Sequence, residues 1–174
     1  PCYINTDGVD GVNGLGTGLR QAVSDLNDGD EIVILGNYTI KDHAVLIDKN
    51  LTIRGDENTL VTYTGNDCSM PMLNITNGGS IQKLTINGGS CTGVSRDLIT
   101  INSPQDTSIE NNTLQEGNRA INIIQNDGTI SVAFNHITEN QDYALYQENG
   151  TGNGSVEIYA NNIFSNRTGI QVFC

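Results

Sequence analysis

The chain of 174 residues has no tryptophan, three prolines, three phenylalanines, and only eight lysines and arginines against 20 acidic residues. The shortage of positive charge counts against polyanion binding, because a net charge of -12 repels nucleic acid and anionic membrane. That field also keeps copies of the chain apart unless calcium or acid screens it. No apolar run approaches transmembrane length and no targeting segment is recognisable, so insertion into a membrane is not expected. The start at Pro1 is what a mature product or an excised piece is expected to show. Cys-x-x-Cys is missing, and His43 and His136 have no partners at zinc-ligand spacing. The length suits one domain with a real interior, taken as residues 1–174.

What is present is turn chemistry first. Residues 1–16 read as an N-terminal extension, with glycine and aspartate but little periodicity in NTDGVDGVNGLGTG. Residues 17–28 then change character. Thr17 is placed to cap a helix, and Leu19, Ala22, Val23 and Leu26 follow the i, i+3, i+4, i+7 pattern of one apolar face. So short a helix is marginal alone and must lie on something, which points to the open end of a sheet stack.

From DEIVILG (30–36) onward the chain shows only brief β-branched runs separated by Asn, Gly, Asp and Thr. These runs repeat. LTING (84–88), IENNTL (109–114), VAFNHI (132–137) and IYANNI (158–163) align on Asn87, Asn112, Asn135 and Asn161, with Leu84, Ile109, Val132 and Ile158 inward before them. Ile86, Asn111, Phe134 and Ala160 take the next inward place in that alignment. A second series contains LITI (98–101), INII (121–124), ALYQ (144–147) and GIQV (169–172). A βαβ arrangement needs a helix in every crossover, and none is available. Stacked coils of an all-β solenoid fit, with aliphatics filling the interior and asparagines bonding up a ladder at the bends. That use accounts for the 23 asparagines without assigning them chemistry.

The opening LRQAV…NDGDEIVILGNYTI…LIDKNLTIRG, through Leu19, Arg20, Gln21, Ala22, Gly29, Asp30, Ile32, Gly36, Tyr38, Ile40, Leu51, Ile53 and Gly55, resembles right-handed parallel β-helix proteins of the pectin-lyase-like superfamily, including their carbohydrate-binding and sugar-hydrolase type repeats. The resemblance implies a single-stranded right-handed parallel β-helix with a short N-terminal capping helix. It implies little about function. Lyases of that family need calcium-binding carboxylates, a basic residue and a positive groove; its hydrolases need three aspartates with a histidine and a lysine on consecutive coils.

Little here meets those demands, so catalysis is the weaker expectation. Arg119 and Arg167 occupy corresponding turns with Asp142 between them, and an Arg–Asp–Arg edge there is a candidate ligand contact or a solvated ion-pair ladder. Glu116 and Glu139 open the same turns, and His136 reads as a surface turn residue. Asp7, Asp10 and Asn13 recur among glycines and form a candidate calcium set, without the spacing of an EF-hand. Arg20 is expected to tie the helix to Asp30 or to a carbonyl of the coil.

Cys68 and Cys91 lie 23 residues apart, about one coil, and are expected to pair. Cys2 and Cys174 are expected to pair within or between chains, and the even, widely spaced set of four cysteines favours a secreted or cell-surface protein; the six Asn-x-Ser/Thr triplets are expected by chance in so Asn-rich a chain. The terminal strand GIQVFC has no polar cap and invites head-to-tail stacking. The first expectation is therefore a non-enzymatic extracellular structural protein that self-associates or belongs to a longer β-helix assembly. The alternative is a glycan-binding or glycan-processing β-helix with Tyr143, Tyr146, Tyr159 and Phe164 as a platform if they face outward. Ice binding is disfavoured, since no Thr-x-Thr array recurs on every coil.

Overall fold

Runs rich in Ile, Val and Thr prefer a pleated surface, and the Asn- and Gly-rich corners between them supply the bends. In the computed structural model, which describes residues 1–4, 8–9, 18–41, 44–56, 58–64, 68–89, 96–148 and 152–173, each run lies flat on the matching run of the next coil. The first coil holds β1 (Cys2–Ile4), β2 (Gly8–Val9) and α1 (Leu19–Asp25). Coils of three strands follow: β3 (Glu31–Ile34), β4 (Asn37–Lys41) and β5 (Val45–Ile47), then β6 (Leu51–Gly55), β7 (Leu60–Thr64) and β8 (Leu73–Ile75). The next two are β9 (Gly79–Gln82), β10 (Thr85–Asn87) and β11 (Ile99–Ser103), and β12 (Thr107–Glu110), β13 (Thr113–Gln115) and β14 (Ile121–Asn126). The last two are β15 (Thr129–Ala133), β16 (His136–Thr138) and β17 (Tyr143–Gln147), and β18 (Ser155–Tyr159), β19 (Asn162–Phe164) and β20 (Thr168–Gln171).

Every third strand shares a sheet. One sheet runs β1-β3-β6-β9-β12-β15-β18, the second β2-β4-β7-β10-β13-β16-β19, and the third β5-β8-β11-β14-β17-β20. All pairs are parallel, and the whole is a right-handed parallel β-solenoid. The third sheet has one strand fewer because α1 takes its place in the first coil and packs on β5. Inward positions stack as columns: Ile32, Ile53, Ile81, Ile109, Val132 and Ile158 in the first sheet, and Val45, Leu73, Ile99, Ile121, Leu145 and Ile170 in the third.

The helix buries Leu19, Ala22 and Val23 of the expected stripe, whereas Leu26 is its C-cap and only partly buried. Its cap differs from expectation. Thr17 lies outside the described residues, and Gly18 is the N-cap with no side-chain bond. The buried hydroxyl of Tyr38, from β4 of the next coil, instead accepts a 2.7 Å hydrogen bond from the Leu19 N–H, meeting one of the donors a helix start leaves open. Arg20 binds the Lys41 and Ala44 carbonyls at 3.4 and 3.2 Å, and Lys49 donates to the Ser24 carbonyl at 2.6 Å and to that of Leu26. Asp30 is not its partner. Residues 2–4 and 8–9 belong to the stack, as rungs of the first two sheets.

The corners carry the polar architecture. Asn135 donates its side-chain amide to Asn161 Oδ1 at 3.0 Å and accepts from the Asn112 amide at 3.1 Å, forming the expected ladder. Asn87 is not in it. The register pairs Ile81 with Ile109 and Asn87 with Gln115, so Leu84 holds the ladder slot and its N–H binds Asn112 Oδ1 at 3.0 Å. Asn111, Phe134 and Ala160 do not point inward; with Lys83 they form a column of left-handed residues, φ 53–56°, at the corner itself. Across the second sheet a further ladder was not anticipated: Asn140 donates to Asn166 Oδ1 at 2.8 Å and accepts from the Gly117 N–H at 3.0 Å. Glu116, Glu139 and Ser165 precede it, each with φ of 55–57°.

Disulfide bonding needs correction. Cys2 is a free thiol on β1, the first rung, whereas the chain ends beyond β20 on the last. Several rungs of about 4.8 Å separate β1 from the β18–β20 coil, more than the Cα separation a disulfide tolerates. No disulfide joins two of the described residues. Cys68 is disulfide-bonded, and Cys91 and Cys174, the two cysteines left to pair with it, lie outside the described residues.

Candidate functional site

Two of the expected sites can be placed only in part or not at all. Asp7, Asp10 and Asn13 lie outside the described residues, and among those described no three His, Cys, Asp or Glu side chains gather as a metal group. The Arg119, Asp142 and Arg167 turns do fall on successive rungs, since Asp142 N–H binds the Asn118 carbonyl and Thr168 N–H that of Asp142. The side chains do not join. Arg119 is one residue out of that file and turns to Asp97, with Nε–Oδ1 and Nη2–Oδ2 distances both 2.9 Å. Asp97 also accepts from the Arg119 N–H at 3.2 Å and the Asn122 amide at 3.0 Å, which makes it the hub of this face. Sequence reasoning missed Asp97 because it lies 22 residues before Arg119 across a corner of irregular length. The fork-to-carboxylate geometry is the strong form of ion pair, half-sheltered here, and its role is to fix a loop corner on the third sheet. Arg119 also stands 5.2 Å from the Tyr146 ring, and Tyr146 in turn meets Tyr143 and Phe173 at 5.0 and 6.0 Å.

A recessed surface follows the corner between the first two sheets. A groove of about 570 Å³ is lined by Arg54, Asp56, Thr59, Lys83, Thr85, Asn111 and Thr113. Its charges are largely satisfied. Arg54 Nε binds Glu31 at 2.6 Å, and this hydrogen bond, with the guanidinium charge behind it, holds the Glu31 carboxyl below its ordinary range. Asp56 is lowered mainly by the Thr59 hydroxyl at 2.8 Å, then by the Asn58 N–H at 3.0 Å. Thr59 is buried and reaches the Ile34 carbonyl at 2.7 Å, so Asp56 serves a turn and is not poised to take a proton from a ligand.

Beyond that groove the same corner becomes aromatic. Phe134 and Tyr159 meet edge to face at 5.7 Å, and His136 and Phe164 at 4.7 Å. Of the four tyrosine and phenylalanine residues named as a platform, Tyr159 and Phe164 are exposed here, while Tyr143 and Tyr146 lie half-buried on another sheet. Phe134 was assigned inward, and is in fact outward because its left-handed φ of 56° turns it out of the coil.

The remaining feature is the last coil. Ile170 is 44% exposed, whereas Leu145 beneath it in the same column is 1% exposed. In each ladder the backbone N–H of one rung binds the amide oxygen of the next, Asn112 to Asn135 at 3.0 Å and Asn135 to Asn161 at 2.9 Å. The N–H groups of Asn161 and Asn166 have no such acceptor among the described residues. No family model, curated protein or solved structure matches the chain, so fold and site geometry alone carry the functional reading.

Proposed function

We propose that the chain is a non-enzymatic structural protein of the cell surface or extracellular space, and that its open coil end takes up a further β-coil from another molecule. The observation that carries this reading is the last coil itself. Val156, Ile158 and Ile163 are only partly covered, Ile170 and Val172 are exposed, and ladder donors face outward with them. Apolar side chains beside unpaired strand groups are the features that promote edge association. Charge favours contact there: residues 152–173 hold one acid, Glu157, and one base, Arg167, in a chain of net charge -12.

The helix end is a poor match for such a face, because α1 turns Gln21, Ser24 and Asp25 to solvent. Open coil against open coil is the better fit, which yields a closed pair instead of the head-to-tail filament first expected. The groove gives the enzymatic alternative little support, since Arg54 is held in an ion pair with Glu31 and Asp56 in a turn with Thr59. Sedimentation equilibrium across a hundredfold concentration range tests the proposal. Association that Ile170→Glu weakens at least tenfold supports it; a monomer at every concentration sinks it.

A further inference from the structure

The contact of open coil with open coil proposed above, on which this inference rests, is isologous, so its two-fold axis lies in the plane between the copies. Such an axis reverses the sense of the coil, and each strand meets its counterpart antiparallel. A coil of three strands then lies on its copy with one strand facing itself while the other two exchange. The choices differ, because the inward side chains are unevenly shared. β18 presents Val156 and Ile158, above Ile130 and Val132. β19 presents Ile163 alone, above Ile137. On the third sheet Ile170 stands above Leu145. Tyr146 pairs with Gln171, so Val172 comes next above Gln147, which continues the inward Ile123 column. With β18 on itself, Val156 matches the partner's Ile158 only if Glu157 directly faces the partner's Glu157, and β19 offers one apolar row against two. With β20 on itself, Ile163 alone must cover both rows of β18. With β19 on itself, every row has a counterpart.

We infer that the occupant is a second copy of this chain, related by a two-fold axis at Ile163, with β19 on the partner's β19 and β18 on the partner's β20. One antiparallel register then sets Ile158 on the partner's Ile170 and Val156 on the partner's Val172, while Ile163 meets its own copy. All of these side chains are exposed or only partly covered in the single chain, and the pairing closes them into one core. The same register places Glu157, outward on β18, opposite the partner's Gln171, outward on β20. A carboxylate there meets an amide donor instead of its own charge, twice in each pair. The coil is laid out about this axis. On each side of β19 stand a left-handed residue, Ala160 or Ser165, and a ladder asparagine, Asn161 or Asn166, with the longer β18 and β20 beyond them. The N–H groups of those asparagines belong to the corners, outside the paired strands, and stay in water at the rim. This self-complementarity selects a copy of the chain over an unrelated β-coil.

Sedimentation equilibrium of the whole chain, with charges exchanged at positions 157 and 171, tests the inference at about 0.15 M salt. Gln171→Glu sets two carboxylates together at both symmetric contacts and is expected to weaken the pair about fivefold. Adding Glu157→Lys turns each contact into an ion pair and is expected to restore at least the parent's affinity. Adding Glu110→Lys instead changes the net charge equally, but on β12, away from the contact, and is expected to restore nothing. Both 157 and 171 point outward, so the variants are expected to melt with the parent. Rescue by Glu157→Lys alone supports the axis at Ile163. Parental affinity in Gln171→Glu, a loss that persists beside Glu157→Lys, or equal rescue by Glu110→Lys overturns it and leaves the open-coil contact standing. A monomer at every concentration overturns both.

Discussion

The two ends of the solenoid solve one problem in opposite ways. At one end the inward column of the third sheet stops at Val45, fully buried under α1; at the other it stops at Ile170, 44% exposed. The covered end is also stitched, through Tyr38, Arg20 and Lys49, so the helix dipole ends and the coil carbonyls are met by side chains. The open half holds its rungs differently, by two asparagine ladders that the helix end does not have. A stack of coils is stabilised by nearest neighbours, so each rung depends on what lies above and below it, and an end rung on one neighbour alone.

The contrast is broken most severely by placing one charge at each end. Val23→Asp buries a carboxylate under the cap and is expected to cost more than about 4 kcal/mol or prevent folding, read by urea denaturation. Ile170→Asp at the open end is expected to cost under about 1 kcal/mol; equal losses would show that the two ends are covered alike. Next in size is the ladder. Asn135→Ala strips partners from the Ile109 carbonyl, the Asn112 N–H and the Asn161 oxygen, a loss of about 3 kcal/mol, while Asn161→Ala on the last rung is expected to lose about half of that. Tyr38→Phe removes the acceptor for the Leu19 N–H and is expected to lower stability by about 1–2 kcal/mol in the same assay.

The smallest effect is acid sensitivity between the ends. Glu31 and Asp56 have folded-state values below their unfolded ones, so their stabilisation is complete above the ordinary carboxylate range near pH ~4 and is lost as pH falls through the lowered values. Urea midpoints measured from pH 6 downward are expected to drop below about pH 4, and to drop less in Asp56→Asn. A flat profile in the parent chain would remove these turns from the account.

The sequence made the helix stripe legible because Leu19, Ala22 and Val23 keep a period that no tertiary contact disturbs. Ladder positions 112, 135 and 161 were legible for a similar reason, each following a corner residue and preceding a short aliphatic strand. The alignment failed one coil earlier. LTING imitates the motif, yet Leu84 fills the slot through its backbone alone, which side-chain identity cannot reveal. The second ladder was hidden because Gly117 opens it without a side chain. The Arg119–Asp97 pair was hidden because it closes across a corner whose length varies between coils.

The inter-coil hydrogen bonds all point along the long axis, and that direction has a mechanical meaning. A force drawing the two extremities apart loads those bonds in succession, corner by corner, and not side by side as in a sheet sheared along its strands. Because Arg20 and Lys49 rivet the helix to the coil beneath it, such a pull is expected to peel the molecule from its β18–β20 extremity first.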